Sequence, residues 1–178
     1  MKKSIAMILG LLLIFIFCGI NAMRSTHTTI EEGYELLRIH IRANSNDKDD
    51  QSVKLLVRDA VAQYLSSALR TASSLEKAKQ IVSDGLTTLK EISDRVLREN
   101  DKTYESQLKL TNEYFPTRAY NDIIVKSGRY DALVISLGEG KGDNWWCIIY
   151  PQLCYQSTGN GKVVYRSKLK ELWDKYFG

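Results

Sequence analysis

The residues most able to do chemistry cluster at positions 138–154, where three glycines, two adjacent tryptophans and two cysteines share one short stretch. A glycine loop of this kind can cradle a phosphate through its backbone N–H groups. Here Lys141 is followed by Gly142 instead of Ser or Thr. Residues 145–150 then indicate a short strand that Pro151 ends, so no helix N-terminus would face a phosphate. The pattern predicts a loop and a strand, not a nucleotide site.

Carboxylates form the second group that could do chemistry, because Asp49, Asp50 and Asp59 lie near one another in the sequence. Paired carboxylates serve as general acid and base in hydrolases. The same residues are common at helix starts, where the positive end of the helix dipole stabilises them. No pattern predicts a catalytic centre, a metal site or a cofactor. An exported hydrolase or cell-wall-binding domain that uses this cluster and the glycine loop is the alternative function.

The N-terminus has the pattern of an export signal. Lys2 and Lys3 precede an apolar run at residues 5–20, which directs the rest of the chain across the membrane. We predict a signal peptide or signal anchor at residues 1–22, with cleavage favoured over retention, then a linker at 23–33 and one domain at 34–178. The formal net charge is +4, and the leader carries two of the positive charges, so charge indicates no nucleic-acid partner.

Export changes the meaning of Cys147 and Cys154, which are the only cysteines outside the leader. An even number of thiols in an oxidising compartment favours a disulfide between them. Two buried, reduced cysteines are the alternative. A metal site is disfavoured because no second pair of ligands lies nearby. A cysteine hydrolase would need a histidine base, and the exported chain offers only His27 and His40.

The elements that must position these residues follow from the hydrophobic pattern. Residues 34–43 alternate, which predicts a half-buried strand with Arg38, His40 and Arg42 on its polar face. His40 is therefore expected to be solvated or hydrogen-bonded, not catalytic. A helix is predicted from the N-cap residues at 44–50 to Ala68, and a second from Ser73 to Asn100 that Gly85 breaks or bends.

The rest of the chain is predicted to form strands. They cover Leu108 and Leu110, then residues 119–125, 130–137 and 145–150, with a hairpin around Gly128 and a short C-terminal helix at 168–177. Adjacent strand residues point to opposite faces, so one tryptophan of the pair belongs to the core. The other either covers the second face of the sheet or forms an exposed interaction hot spot. The elements predict an α+β domain with a mostly antiparallel sheet and two longer helices on one face.

Three segments carry a family resemblance. Residues 43–61 (ANSNDKDDQSVKLLVRDAV), residues 115–120 (FPTRAY) and residues 138–154 (GEGKGDNWWCIIYPQLC) resemble, in this order and behind a leader, the stage II sporulation protein R family of endospore-forming bacteria. Lys48 and Gln152 stand where many members have proline, which affects the shape of two turns. The residues that match the family's motifs, and are therefore candidates for partner binding, are Arg42, Asn44, Ser45, Asp50, Gln51, Lys54, Arg58, Asp59, Pro116, Thr117, Arg118, Asn144, Trp145 and Trp146, with Cys147 and Cys154 as the disulfide candidates.

The resemblance implies a secreted signalling protein and not an enzyme. Family members are exported from the forespore into the space between the two membranes that separate it from the mother cell. There they activate a membrane-embedded aspartic protease of the mother cell, which then processes a pro-sigma factor. The implied partner is thus the extracytoplasmic face of that protease, and the membrane is reached only through the leader or the partner. We hypothesise that Lys54, Arg58, Arg118 and one tryptophan form the contact surface. A purely structural role as helix caps is the alternative for Asn44 and Ser45.

Overall fold

The computed structural model describes residues 28–30, 35–120, 123–151, 155–157 and 163–165. The predicted leader, Cys154 and the predicted C-terminal helix at 168–177 lie outside these residues. Within them, no helix is both long enough and apolar enough to cross a membrane.

The described chain has two strands, then three helices, then seven strands. In chain order the elements are β1 (Thr28–Ile30), β2 (Leu37–Arg42), α1 (Lys48–Ala68), a 3-10 turn (Leu69–Thr71), α2 (Leu75–Asp84), α3 (Leu86–Glu99), β3 (Ser106–Phe115), β4 (Arg118–Tyr120), β5 (Ile123–Val125), β6 (Gly128–Leu137), β7 (Asn144–Tyr150), β8 (Tyr155–Ser157) and β9 (Val163–Tyr165). The predicted α+β class is confirmed.

The main sheet is mixed, with strand order β3-β6-β2-β7. Its central pair, β2 and β6, is parallel, while β3 with β6 and β2 with β7 are antiparallel. The predicted sheet was mostly antiparallel, and its parallel centre was missed. All three helices lie between β2 and β3, and a long crossover of this kind allows a later strand to return in the same direction.

The predicted hairpin around Gly128 is wrong. Gly128 and Arg129 are paired residues of β6, opposite Phe115 and Tyr114 of β3, so the strand runs through the predicted turn. The segment before it forms β4 and β5, which pair with each other and, through β5, with β1 in a separate three-stranded sheet. The sequence had indicated a linker where β1 lies.

Three helices, not two, cover one face of the main sheet. The Oγ of Ser74 accepts a hydrogen bond from the Lys77 amide at 3.2 Å and caps α2. Gly85 ends α2 and begins α3, as the predicted break required. A Cβ at this position would lie 2.8 Å from the hydroxyl of Tyr64 on α1, so the glycine also lets the helices approach closely.

The β2 strand is buried on both faces, although its alternation predicts only one buried face. Leu37, Ile39 and Ile41 pack against the helices in the first core. The opposite face forms a second core around Phe115 and Val134, against which Tyr120 of β4 and Ile123 of β5 pack. Arg38 and His40 lie on that second face and are buried as well. The small β1-β5-β4 sheet supplies the cover that the sequence pattern did not reveal.

The glycine loop at residues 138–143 is bound to the end of β2. The amides of Lys141 and Gly142 donate to the carbonyls of Asn44 and Ala43, at 3.1 Å and 2.9 Å. A Cβ on Gly142 would lie 2.0 Å from the carbonyl oxygen of Ser45. The position therefore requires glycine because backbone packs against backbone there.

We expect Gly142→Ala to lower the free energy of unfolding by about 3 kcal/mol or more, because the new methyl group must displace backbone. Urea unfolding of the purified protein measures this. Lys141→Ala in the same loop is the control, since it removes only an exposed ion pair with Glu139 and should change stability by less than about 1 kcal/mol. Equal midpoints for Gly142→Ala and the unmodified protein would contradict the close packing.

Candidate interaction site

The segment from the end of β2 into α1 carries most of the candidate residues. Several of their side chains point inward, toward Asp50. The Asp50 carboxylate accepts hydrogen bonds from Asn44 Nδ2 at 2.8 Å, Ser45 Oγ at 2.7 Å and the Tyr104 hydroxyl at 2.7 Å. Lys102 Nζ lies 3.3 Å from the same carboxylate. We call Asn44, Ser45, Asp50, Lys102 and Tyr104 the Asp50 junction.

The Asp50 junction holds a charged group inside the protein, because Asp50 is only 6% exposed. Burial raises the pKa of Asp50, but the hydrogen bonds from Tyr104, Asn44 and Ser45 outweigh it and leave the pKa well below its usual range. Burial and the hydrogen bond to Asp50 raise the pKa of Tyr104. Asp50 is therefore an ionised structural acceptor, which is the opposite of what a general acid needs.

Gln51 and Lys54 continue the same network toward the glycine loop. Gln51 Nε2 donates to the carbonyl of Ser45 at 2.9 Å. Lys54 Nζ donates to Gln51 Oε1 at 2.6 Å and to the carbonyl of Asp143 at 2.9 Å. Lys54 is 5% exposed, and burial lowers its pKa. Both side chains thus join the helix to the loop, and the structure places Lys54 inside the protein instead of on a contact surface.

The three carboxylates that the alternative hydrolase function would need, those of Asp49, Asp50 and Asp59, do not form one cluster. Asp50 and Asp59 are nine residues apart on α1, which separates them by about 13.5 Å along the helix axis. Asp59 is exposed and its Oδ1 lies 2.7 Å from Arg58 Nε. Asp49 is exposed in the first turn of α1. Among the described residues, no group of three or more possible metal ligands is present.

Trp145 and Trp146 lie on opposite faces of β7, as predicted, and both are half-buried. On the helix side, the Arg58 guanidinium carbon lies 5.7 Å from the ring centroid of Trp145. On the other side, the Arg118 guanidinium carbon lies 5.5 Å from the ring centroid of Trp146. Each tryptophan therefore has its own arginine. Arg58 and Arg118 are on different faces of the sheet, so they do not surround one common tryptophan.

Trp146 also stacks on His40, with ring centroids 3.7 Å apart and an interplanar angle of 19°. His40 Nδ1 lies 3.0 Å from Oε2 of Glu113, whose other oxygen accepts from Arg42. Burial lowers the pKa of His40, and the Glu113 contact only partly offsets this. Burial raises the pKa of Glu113, but His40 and Arg42 outweigh it and lower the pKa overall. At neutral pH the site therefore holds a neutral imidazole beside a carboxylate.

Arg38 is a functional candidate that sequence reasoning did not single out. It is fully buried, and its guanidinium carbon lies 4.1 Å from the ring centroid of Phe115 and 4.9 Å from that of Tyr130. Nη2 donates to the Tyr120 hydroxyl at 2.8 Å. Cation–π contacts contribute about 2 kcal/mol when desolvated, whereas burying a charge costs several kcal/mol. The aromatic rings alone do not compensate the Arg38 charge.

One signal in the sequence could have revealed this face. Arg38, His40 and Arg42 occupy three alternating positions of an otherwise apolar strand, and Phe115 to Tyr120 supply aromatic residues near the next turn. Charged residues with aromatic neighbours suggest a covered polar face. The alternation was instead interpreted as a face open to solvent.

The remaining candidates lie in the turn between β3 and β4, which Pro116 stiffens, and at the start of β7. Thr117 Oγ1 accepts a hydrogen bond from the Ser127 amide at 3.0 Å, which ties the turn to the segment between β5 and β6. Pro116 is half-buried in that turn. Asn144 is exposed and pairs with Arg42 across the β2–β7 ladder. These positions frame the Arg118 side of the sheet.

Comparison with known proteins identifies the family of the chain. The family described as stage II sporulation protein R matches residues 33–160, which include every candidate residue above. The chain belongs to the stage II sporulation protein R family. A relative from Bacillus subtilis strain 168, called stage II sporulation protein R, is 29% identical over 151 residues that cover 85% of this chain and 67% of the relative. No solved structure matches the chain.

The residues that match the motifs of the stage II sporulation protein R family differ in whether their side chains make contacts inside the protein. Asn44, Ser45, Asp50, Gln51 and Lys54 are committed to internal contacts. Arg118 is different, because it is exposed and lies against the face of Trp146. We call Arg118, Trp146 and Thr117 the Arg118 surface.

We expect Asp50→Asn to lower the free energy of unfolding by about 2–3 kcal/mol at neutral pH, because a neutral amide leaves buried donors without a charged acceptor. The pKa of Asp50 is lower in the folded than in the unfolded chain. Its contribution is therefore present above the unfolded pKa of about 4 and is lost as pH falls through the folded pKa. The difference between the variant and the unmodified protein should shrink in acid.

Urea unfolding at several pH values between neutrality and strong acid measures this difference. Asp49→Asn is the matched control, since it neutralises the neighbouring exposed carboxylate and should change stability by less than about 1 kcal/mol. Equal losses for the two variants, or a difference independent of pH, would contradict the structural role of Asp50.

The disulfide between Cys147 and Cys154 stays a prediction. Cys147 is fully buried in β7, and Cys154 lies outside the described residues. We expect peptide mapping of the unfolded, purified protein to show that a thiol reagent labels neither cysteine until reductant is added. Labelling of both cysteines without reductant would establish the alternative of two reduced thiols.

Proposed function

We propose that this chain is a secreted signalling protein of sporulation that activates a membrane-embedded aspartic protease of the mother cell and so triggers processing of a pro-sigma factor. Membership of the stage II sporulation protein R family is the observation that carries the proposal. The apolar run at residues 5–20 supports export into the space between the two membranes. The proposed partner surface is the extracytoplasmic side of the protease.

The Arg118 surface is the proposed point of contact. Arginine and tryptophan are the residue types most often found at binding hot spots. Arg118 lies over Trp146, which in turn stacks on the buried His40, so the exposed charge rests on a rigid aromatic base. A preorganised side chain loses little conformational entropy on binding. This arrangement supports a role in recognition more strongly than a role in stability.

Arg58 is a weaker candidate than Arg118 for the same contact. It lies over Trp145 but also forms an ion pair with Asp59, so part of its charge is already compensated. Leu55 and Leu56 are exposed on the same helix, at 40% and 46%. A partner that engaged both faces of β7 would contact Arg58 as well, but the primary contact is assigned to Arg118.

The chain is proposed to act as a ligand, not as a catalyst. In the part of the chain that the structure describes, the only buried member of the acidic cluster is Asp50, and it is held ionised by hydrogen bonds inside the Asp50 junction. The glycine loop is bonded to the end of β2 and not arranged around an empty cradle. No observation therefore favours the alternative of an exported hydrolase.

We expect Arg118→Ala to lower activation at least tenfold, because truncating a central arginine contact commonly costs more than about 1.4 kcal/mol of binding. The secreted protein is added from outside to vesicles that hold the protease and its pro-sigma substrate, and substrate cleavage is followed by gel. Arg95→Ala is the matched control, since Arg95 is an exposed arginine on α3 and should leave activation unchanged.

The thermal midpoint of each variant shows whether the protein stays folded. Full activation by Arg118→Ala would exclude the Arg118 surface, and loss of folded protein would make Arg118 a structural residue.

Asp59→Asn separates the two functional classes, because a carboxylate enzyme would lose activity by orders of magnitude whereas a ligand keeps it.

A further inference from the structure

Two buried side chains on the second face of β2 have polar atoms without a hydrogen-bond partner. Arg38 Nε and Nη1 are shielded from solvent and have no hydrogen-bond partner, although almost all buried polar atoms in proteins are satisfied. His40 Nε2 is shielded as well and has no partner at hydrogen-bond geometry, although the Asn144 side chain interacts with the imidazole. Arg38 and His40 are two residues apart on the same strand, so their side chains share a face. Both also lie against the ring of Phe115.

The charge on this face is not balanced by the described residues. Glu113 is already shared between His40 and Arg42. None of the described carboxylates forms an ion pair or hydrogen bond with Arg38, whose only polar partner is the Tyr120 hydroxyl. Arg118 adds a further positive charge on the outer side of Trp146. The face therefore carries an excess of positive charge around a buried guanidinium.

We propose that Arg38 anchors a carboxylate-binding site on the second face of the sheet, walled by Phe115 and Tyr130 and covered by Tyr120 of β4. A carboxylate is favoured over phosphate because one guanidinium neutralises one negative charge, and a planar group fits between aromatic rings. Arginine is also the side chain that recognises carboxylates best.

His40 defines a second property of the ligand. Because the Glu113 carboxylate can only accept, Nδ1 carries the hydrogen of the neutral imidazole and Nε2 is left as an acceptor. A carboxylate with an N–H or O–H donor within a few bonds of it would satisfy both side chains. An acidic residue in a peptide and a free amino or hydroxy acid share this chemistry.

The covering element is small. β4 and β5 are three residues each and pair in a small sheet of their own, outside the main sheet. Short elements of this kind open locally at lower free energy than a central sheet does. Displacement of Tyr120 would give a ligand access to Arg38 without disturbing the first core.

The test is an NMR titration of the ¹⁵N-labelled secreted protein with sodium acetate, against sodium chloride at equal ionic strength. We expect the Arg38 Nε–H resonance to move saturably with acetate and not with chloride. The thermal midpoint should rise further in acetate than in chloride. Arg38→Met should lose this increment, while Arg129→Met, which removes an exposed arginine from the same sheet, should keep it.

A second arm separates the two sources of the carboxylate. The peptide acetyl-Gly-Asp-Gly-amide is titrated in the same way. Movement with both probes supports a carboxylate carried by another protein, and movement with acetate alone supports a free small acid. An Arg38 Nε–H resonance that responds to neither probe overturns the proposal. This arm uses the unmodified protein, so it decides the question even where Arg38→Met does not fold.

Discussion

The Asp50 carboxylate is the interaction on which the arrangement of the domain depends. It joins the end of β2, the start of α1 and Tyr104 near β3 through hydrogen bonds to an ionised group. Such bonds are about twice as strong as neutral ones. The carbonyls of Ala43 and Asn44 then hold the glycine loop that leads into β7. The relative positions of the central strand, the first helix and the tryptophan strand therefore follow from one buried charge.

The second constraint is that β2 is covered on both faces. A central strand with helices on one side and a small sheet on the other must bury whatever residues face the second side. In this chain those residues are Arg38 and His40. Arg38 packs against the ring of Phe115, and His40 stacks on Trp146 and contacts Glu113, which stabilises their burial. A covered polar face is costly for stability, which makes it a natural place to look for function.

Local sequence patterns predicted the helices and strands better than they predicted which strands pair with each other. The first helix, the break at Gly85, the tryptophan strand and the opposite faces of Trp145 and Trp146 followed from period, capping and breaker residues. The parallel centre of the sheet and the pairing of β5 with β4 depend on contacts between distant segments, which no short-range pattern encodes. The inward role of Lys54 was missed for the same reason, because its partner Asp143 lies far along the chain.

The candidate site shows how one motif can contain residues of two kinds. In the segment at residues 43–61, the side chains of Asn44, Ser45 and Asp50 form hydrogen bonds with one another inside the protein. Arg58 in the same segment reaches the surface beside Trp145. A resemblance between sequences cannot separate these roles, since both kinds of residue belong to the same motif. Hydrogen-bond partners and burial can. By that criterion the proposed contact lies at Arg118 and not at the helix start, because Arg118 packs on the ring of Trp146 and is exposed to solvent.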